Sequence, residues 1–130
     1  MSKLASFLRP CPAGKTKEVI LERFTDEEGK PVPFIVQSIT PEENEELSRI
    51  STDEKGNLNS FEYGNRLIVA CIVEPNLKDK ELCKYYGVLD PIEVPGIMFT
   101  IGEKQVIQEA IMNINDLTLT SKKLQKAKNF

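Results

Sequence analysis

The sequence predicts an α+β domain, a β-hairpin packed on a small bundle of about four to five helices. Three observations predict it. Two β-prone runs, Lys17–Phe24 and Pro33–Ile39, flank a polar loop containing Gly29, the pattern of a hairpin. Two capping boxes, Thr40–Glu43 and Thr100–Glu103, each open a helix-like segment. The 130 residues are 40% hydrophobic, enough for one real core, and 28% charged, as in a soluble protein.

At the N-terminus, Ser2 is placed to cap a short helix reaching Leu8, with Leu4, Phe7 and Leu8 as its apolar side. Arg9–Lys15 holds two prolines and a glycine and reads as a linker. An apolar helix on such a tether either docks on another chain or folds back on its own core. The hairpin strands come next, with Asp26–Gly29 as turn chemistry; Pro31 and Pro33 place the second strand's start at an edge. A lone hairpin is marginal in water, so it must pack on something.

Thr40 then caps a helix to about Ile50, with Pro41 at its first position and Glu43 closing the box. Leu47 and Ile50 share a face. Ser51–Asn59 is a polar loop with Gly56. Asn59 or Ser60 starts the next helix, where Phe61, Asn65, Ile68 and Ile72 fall at helical spacing. Leu67–Val73 is apolar on every side, which marks a buried central helix that Pro75 ends. Leu77–Tyr86 forms a short helix stopped by Gly87, and Asp90–Gly96 is irregular or a single turn. The last helix follows Thr100 and sets Ile107, Ala110, Ile111 and Ile114 on one stripe until Asn115–Asp116 closes it. No internal repeat is evident. The expected organisation is an N-terminal helix and linker at 1–15, a globular domain at 16–118 and a lysine-rich tail at 119–130.

Charge and composition exclude several functions. Thirteen cations against twenty acids before residue 117 leave that body at −7, whereas the remainder carries Lys122, Lys123, Lys126 and Lys128 and no acid. A nucleic-acid binder usually has a basic body, so no nucleic-acid partner is expected. The longest apolar run, Leu67–Val73, is far short of the ~20 residues of a spanning helix, and Met1–Leu8 lacks a signal peptide's apolar centre and cleavage site. No membrane partner is expected, and the cytoplasm is the expected location.

The sequence contains no histidine, the commonest general base, and neither a phosphate loop nor a dinucleotide fingerprint. Cys11, Cys71 and Cys83 are widely spaced and form no C-x-x-C pair, so three free thiols without metal or cofactor are expected. Glu42, Glu43, Glu45 and Glu46 form the densest carboxylate cluster. Neighbouring carboxylates on a helix diverge, and acids at a first turn favour the helix dipole. A carboxylate-dependent enzyme is therefore the minor alternative. Tyr85 and Tyr86 offer either a sticky aromatic patch or a helix end packed on the core. With Leu4, Phe7 and Leu8, they are the candidate protein-binding residues. The lysine-rich tail reads as a solvated terminus or as a contact for phosphates or an acidic surface.

The order and spacing of several stretches resemble the XkdN-like family of phage tail assembly chaperones. They are Glu22–Phe24 with Asp26, Gly29 and Pro31–Phe34; Ile39–Leu47; Leu67–Ala70; Glu74–Asp79 with Glu81–Leu82; Tyr86–Val88; and Pro95, Met98, Gly102–Glu103 and Ile114–Asn115. The resemblance runs roughly from residue 2 to 118, and Pro10–Lys15 and the tail match least. It carries no catalytic motif. It implies a chaperone of phage or prophage tail assembly that binds the tape measure protein, keeps it soluble while tail tube protein assembles around it, and self-associates. The alternative is a small adaptor or regulatory protein-binding module of phage origin.

Overall fold

The computed structural model describes residues 3–12 and 14–117. After a 3-10 turn at Lys3–Phe7, the chain runs β1 (Thr16–Val19), β2 (Phe34–Gln37), α1 (Pro41–Ile50), α2 (Ser60–Cys71), β3 (Ile72–Glu74), α3 (Lys80–Tyr86), α4 (Val94–Met98) and α5 (Ile101–Ile114); a second 3-10 turn, Pro91–Glu93, leads into α4. The three strands form one antiparallel sheet in the order β1-β2-β3. Helix α5 packs across β1 and β2, with α2 beside it and α1 against α2. The α+β expectation therefore holds, with a third strand added to the hairpin.

Pairing is in register from Thr16 opposite Gln37 to Val19 opposite Phe34. Alternation along β2 sends Phe34 and Val36 into the core and leaves Ile35 and Gln37 half-buried. Ile68, Leu77, Ile107 and Ile111 are completely enclosed, as is Cys71. Each such aliphatic side chain contributes about 1.5–3 kcal/mol through burial. Rings of Phe24, Phe34 and Phe99 meet edge to face with centroids 5.0 to 6.0 Å apart, closing the core where the β1–β2 connection crosses α5.

Both capping boxes form as read. Thr40 Oγ1 accepts the Glu43 amide at 3.1 Å and Thr100 Oγ1 that of Glu103 at 3.1 Å, and each glutamate returns a bond to its threonine amide. Asn59 caps α2, and Gly87 ends α3 in the left-handed region at φ +70°.

Several expectations need correction. Strand β1 stops at Val19; Leu21 is buried and Phe24 packs on the core from the connecting loop. The apolar run after Leu67 is not one helix: α2 ends at Cys71 and the chain turns into β3 at Ile72. An apolar run without polar phase reads equally as helix or strand, and the β-branched Ile72 and Val73 favour the strand. Phe61, placed on the helix stripe, is 84% exposed. Helix α3 begins at Lys80, not Leu77, because Asp79 Oδ1 accepts the amides of Glu81 and Leu82. Residues 91–98 hold a 3-10 turn and a short helix, more order than one turn. The short N-terminal helix is a 3-10 turn that ends at Phe7, one residue before Leu8, and its proposed Ser2 cap lies outside the described residues. So does the lysine-rich tail.

A repeat of small scale is also present. In Asp26-Glu27-Glu28-Gly29-Lys30 the Asp26 carboxylate accepts the amides of Glu28 and Lys30. In Asp53-Glu54-Lys55-Gly56-Asn57 the Asp53 carboxylate accepts those of Lys55 and Asn57. Each loop closes with the same two backbone bonds and a glycine at φ +81° or +84°.

Candidate protein-docking surface

The five residues singled out for protein binding fall into two groups. Leu4, Phe7 and Leu8 are all exposed, Phe7 by 74%. Backbone bonds at Leu8 and Arg9 run only to Ala5 and Phe7, within the segment. A five-residue turn cannot hold itself together by helix propensity. This arm thus presents a phenylalanine and two leucines to solvent, on a linker that passes Cys11 and Pro12.

The tyrosines behave differently from each other. Their rings meet edge to face at 5.0 Å, yet consecutive helix positions point about 100° apart. Tyr86 packs on the core while Tyr85 is 83% exposed. Burial pushes the Tyr86 hydroxyl above its ordinary pKa, with Tyr85 adding to the effect and Arg23 opposing it. Leu89, just past Gly87, is fully exposed next to them in sequence.

Two clusters fix the ends of α5; Glu103 and Asn115 were read at those ends, but their ties to Arg23 and Ile39 were not. At its N-terminus, Arg23 donates to both Glu103 oxygens at 2.6 and 3.0 Å and to the Met98 carbonyl at 2.6 Å. Its guanidinium also lies 4.4 Å from the Phe24 ring centre. The hydrogen bond from Arg23 is the main reason the Glu103 carboxyl is held below its ordinary pKa. Glu103 therefore caps α5 and ties it to the β1–β2 connection. At the other end, the Asn115 side chain accepts the Ile39 amide at 3.0 Å and donates to the Ile111 carbonyl at 2.8 Å.

Beside Asn115 lies a cavity of about 260 Å³, lined mainly by Pro12, Ile39, Pro41, Leu67, Ile114 and Leu117. Cys11 is exposed at its rim; Cys71 and Cys83 are buried. Burial drives the Cys71 thiol up to about 11, against the hydrogen bond from Asn115. The linker root thus lies at the C-terminal end of α5, while Tyr86 interacts with Arg23, which binds Glu103 at the other end. Fourteen residues at 1.5 Å separate those ends by about 21 Å.

Glu42, Glu43, Glu45 and Glu46 line a shallow cleft with Arg49 and Lys78. All four are exposed on α1, Glu43 serves the capping box, and Glu46 pairs with Arg49. Among the described residues, no three histidine, cysteine, aspartate or glutamate side chains gather to hold a metal ion. No described helix is long and apolar enough to cross a membrane.

The fold is a small α+β domain with an enclosed core and apolar side chains left outside it. Comparison with known proteins gives the family. The model of the phage XkdN-like tail assembly chaperone proteins matches residues 4–128, and the chain belongs to that family. It is 36% identical over 108 residues to the uncharacterized protein YqbN of Bacillus subtilis strain 168, covering 75% of this chain and 72% of that one. It is 29% identical over 108 residues to the phage-like element PBSX protein XkdN of the same organism, covering 75% and 73%. The crystal structure of YqbN superposes with a TM-score of 0.68 at 34% identity, over 85% of this chain and 94% of that one.

Proposed function

We propose that this chain works by binding rather than catalysis: in phage or prophage tail assembly it holds the tape measure protein soluble while tail tube protein assembles around it. Family membership supports the setting, and the exposed Leu4, Phe7 and Leu8 arm is the observation that carries the mode of action. An unassembled tape measure protein exposes long apolar helical stripes, which a groove or arm can cover. Burying one phenylalanine and two leucines is worth about 1.5–3 kcal/mol each before ordering costs. That suits a complex that must later come apart. Tyr85 supplies a second contact at the far end of α5, and self-association uses the same arm. The working location in this reading is the bacterial host cytoplasm.

Co-expression with the tape measure protein tests this. The intact chain should keep its client in the soluble fraction, and Phe7→Asp should lose most of that effect. A client that stays insoluble with the intact chain would overturn the chaperone reading. Undiminished solubilisation by Phe7→Asp would remove the arm from it.

A further inference from the structure

We propose that the 260 Å³ cavity at the C-terminal end of α5 is a docking site for this chain's own lysine-rich segment, with Leu124 seated in it and the flanking lysines over α1. The cavity wall is mostly apolar in area, with the Lys15–Asp116 ion pair at its edge, and its size is ample, since a cavity of about 150 Å³ already holds a benzene ring. The chain leaves the described structure at this wall, because Leu117 is one of the lining residues. Leu124 is seven residues further on, and seven residues reach at most about 25 Å, ample for a return to the same cavity.

Charge favours that return. Leu124 is flanked by Lys122, Lys123 and Lys126, with no acid after Asp116. Thr40, Pro41 and Asn44 bring the start of α1 to the cavity, and the same helix presents Glu42, Glu43, Glu45 and Glu46. Of these, Glu43 is taken up by the Thr40 cap and Glu46 by Arg49, which leaves Glu42 and Glu45 without an ion pair among the described residues. An apolar side chain between lysines therefore meets a largely apolar hole at the start of an acidic helix. The family match also runs to residue 128, so this segment lies within the matched unit and is not an appendage to it. The N-terminal arm is the poorer occupant: Cys11 and Pro12 line the cavity, but Phe7 stands out in solvent. The contact is independent of the client proposed above. An apolar client segment entering the cavity would have to displace the chain's own segment.

Cys11 reports on this contact, since it lies at the rim and the other two thiols are buried. In the full chain, Leu124→Cys treated with a short bismaleimide should give a cross-link to Cys11 within one chain, mapped by mass spectrometry. Cross-linked dimers alone would assign the cavity to a second copy and overturn the proposal, as would no cross-link. In parallel, N-ethylmaleimide should modify Cys11 faster in Leu124→Asp and in the triple variant Lys122→Glu, Lys123→Glu, Lys126→Glu. The gain should be about tenfold if docked chains outnumber open ones about ten to one. Salt should shrink the difference between the parent and the triple variant, because exposed charge pairs are screened. Equal Cys11 rates in parent and both variants would overturn it.

Discussion

Two apolar stretches of this chain have opposite fates. Leu67–Ile72 disappears into the interior, with Ile68 and Cys71 completely enclosed, whereas Leu4–Leu8 lies in solvent although it is comparably apolar. The difference is in what surrounds each. The first is the last part of the capped helix α2 with the first residue of β3, and these elements pack on α5, α1, α4 and β2. The second lies mostly in the short 3-10 turn Lys3–Phe7, ahead of a proline-containing linker. Apolarity states that a surface must be covered; the neighbouring elements state by what. The first stretch is covered by its own domain and sets stability. The second is left uncovered by its own domain, and in the proposed reading it serves binding.

That contrast can be broken at graded strengths. The largest effect should come from Ile111→Ala or Ile68→Ala, which open a void in the enclosed core and should cost roughly 2–5 kcal/mol in denaturant melts. A loss below about 0.5 kcal/mol, the size typical of surface changes, would mean these faces are not the core.

Alkaline pH should loosen the same region more gently. Cys71 ionises near 11 when folded, against 9.0 ordinarily. The unfolded chain therefore gives up this proton first. Stability from this group is intact below about pH 9 and is lost as pH rises to about 11. Melts across that window should show a shallower decline in Cys71→Ala than in the parent; identical slopes would refute the assignment.

Thr100→Ala removes one bond of the α5 capping box and should cost about 1 kcal/mol. The smallest stability effect belongs to the arm. Phe7→Asp should change it by less than about 0.5 kcal/mol while abolishing client solubilisation. A large loss of stability there would show that the arm packs on its own domain, and the contrast between the two stretches would collapse.

What could be read in the sequence was what is local. The capping boxes need only four residues, and both were legible, as were the α5 stripe and the Gly87 stop. The buried set Ile68, Ile72, Ile107 and Ile111 was also right, though Ile72 reaches the core from β3 and not from a helix. The α2-to-β3 switch was illegible because an apolar run carries no phase to separate helix from strand. The Arg23–Glu103 tie spans 80 positions and leaves no local mark. The repeated Asp-Glu-x-Gly loops were visible in the sequence and went unread, because their likeness lies in hydrogen bonding over five residues and not in a long period. In the N-terminal arm, apolar residues on a linker were legible, but not whether they fold back on the core or stand in solvent, as they do. Which of two adjacent tyrosines would face outward depended on how α3 sits on the core.

Asn115 carries a consequence of a chemical kind. One carboxamide serves as acceptor for β2's exit and donor for the last turn of α5. Asparagine is among the heat-labile residues, and hydrolytic ageing converts the amide to an acid. The resulting carboxylate could still accept from Ile39, but when ionised it has nothing to donate to the Ile111 carbonyl. It would also set a negative charge beside Asp116 and the Cys71 thiol. Conversion of this one side chain would thus leave a heavier, more acidic population whose helix end has come undone.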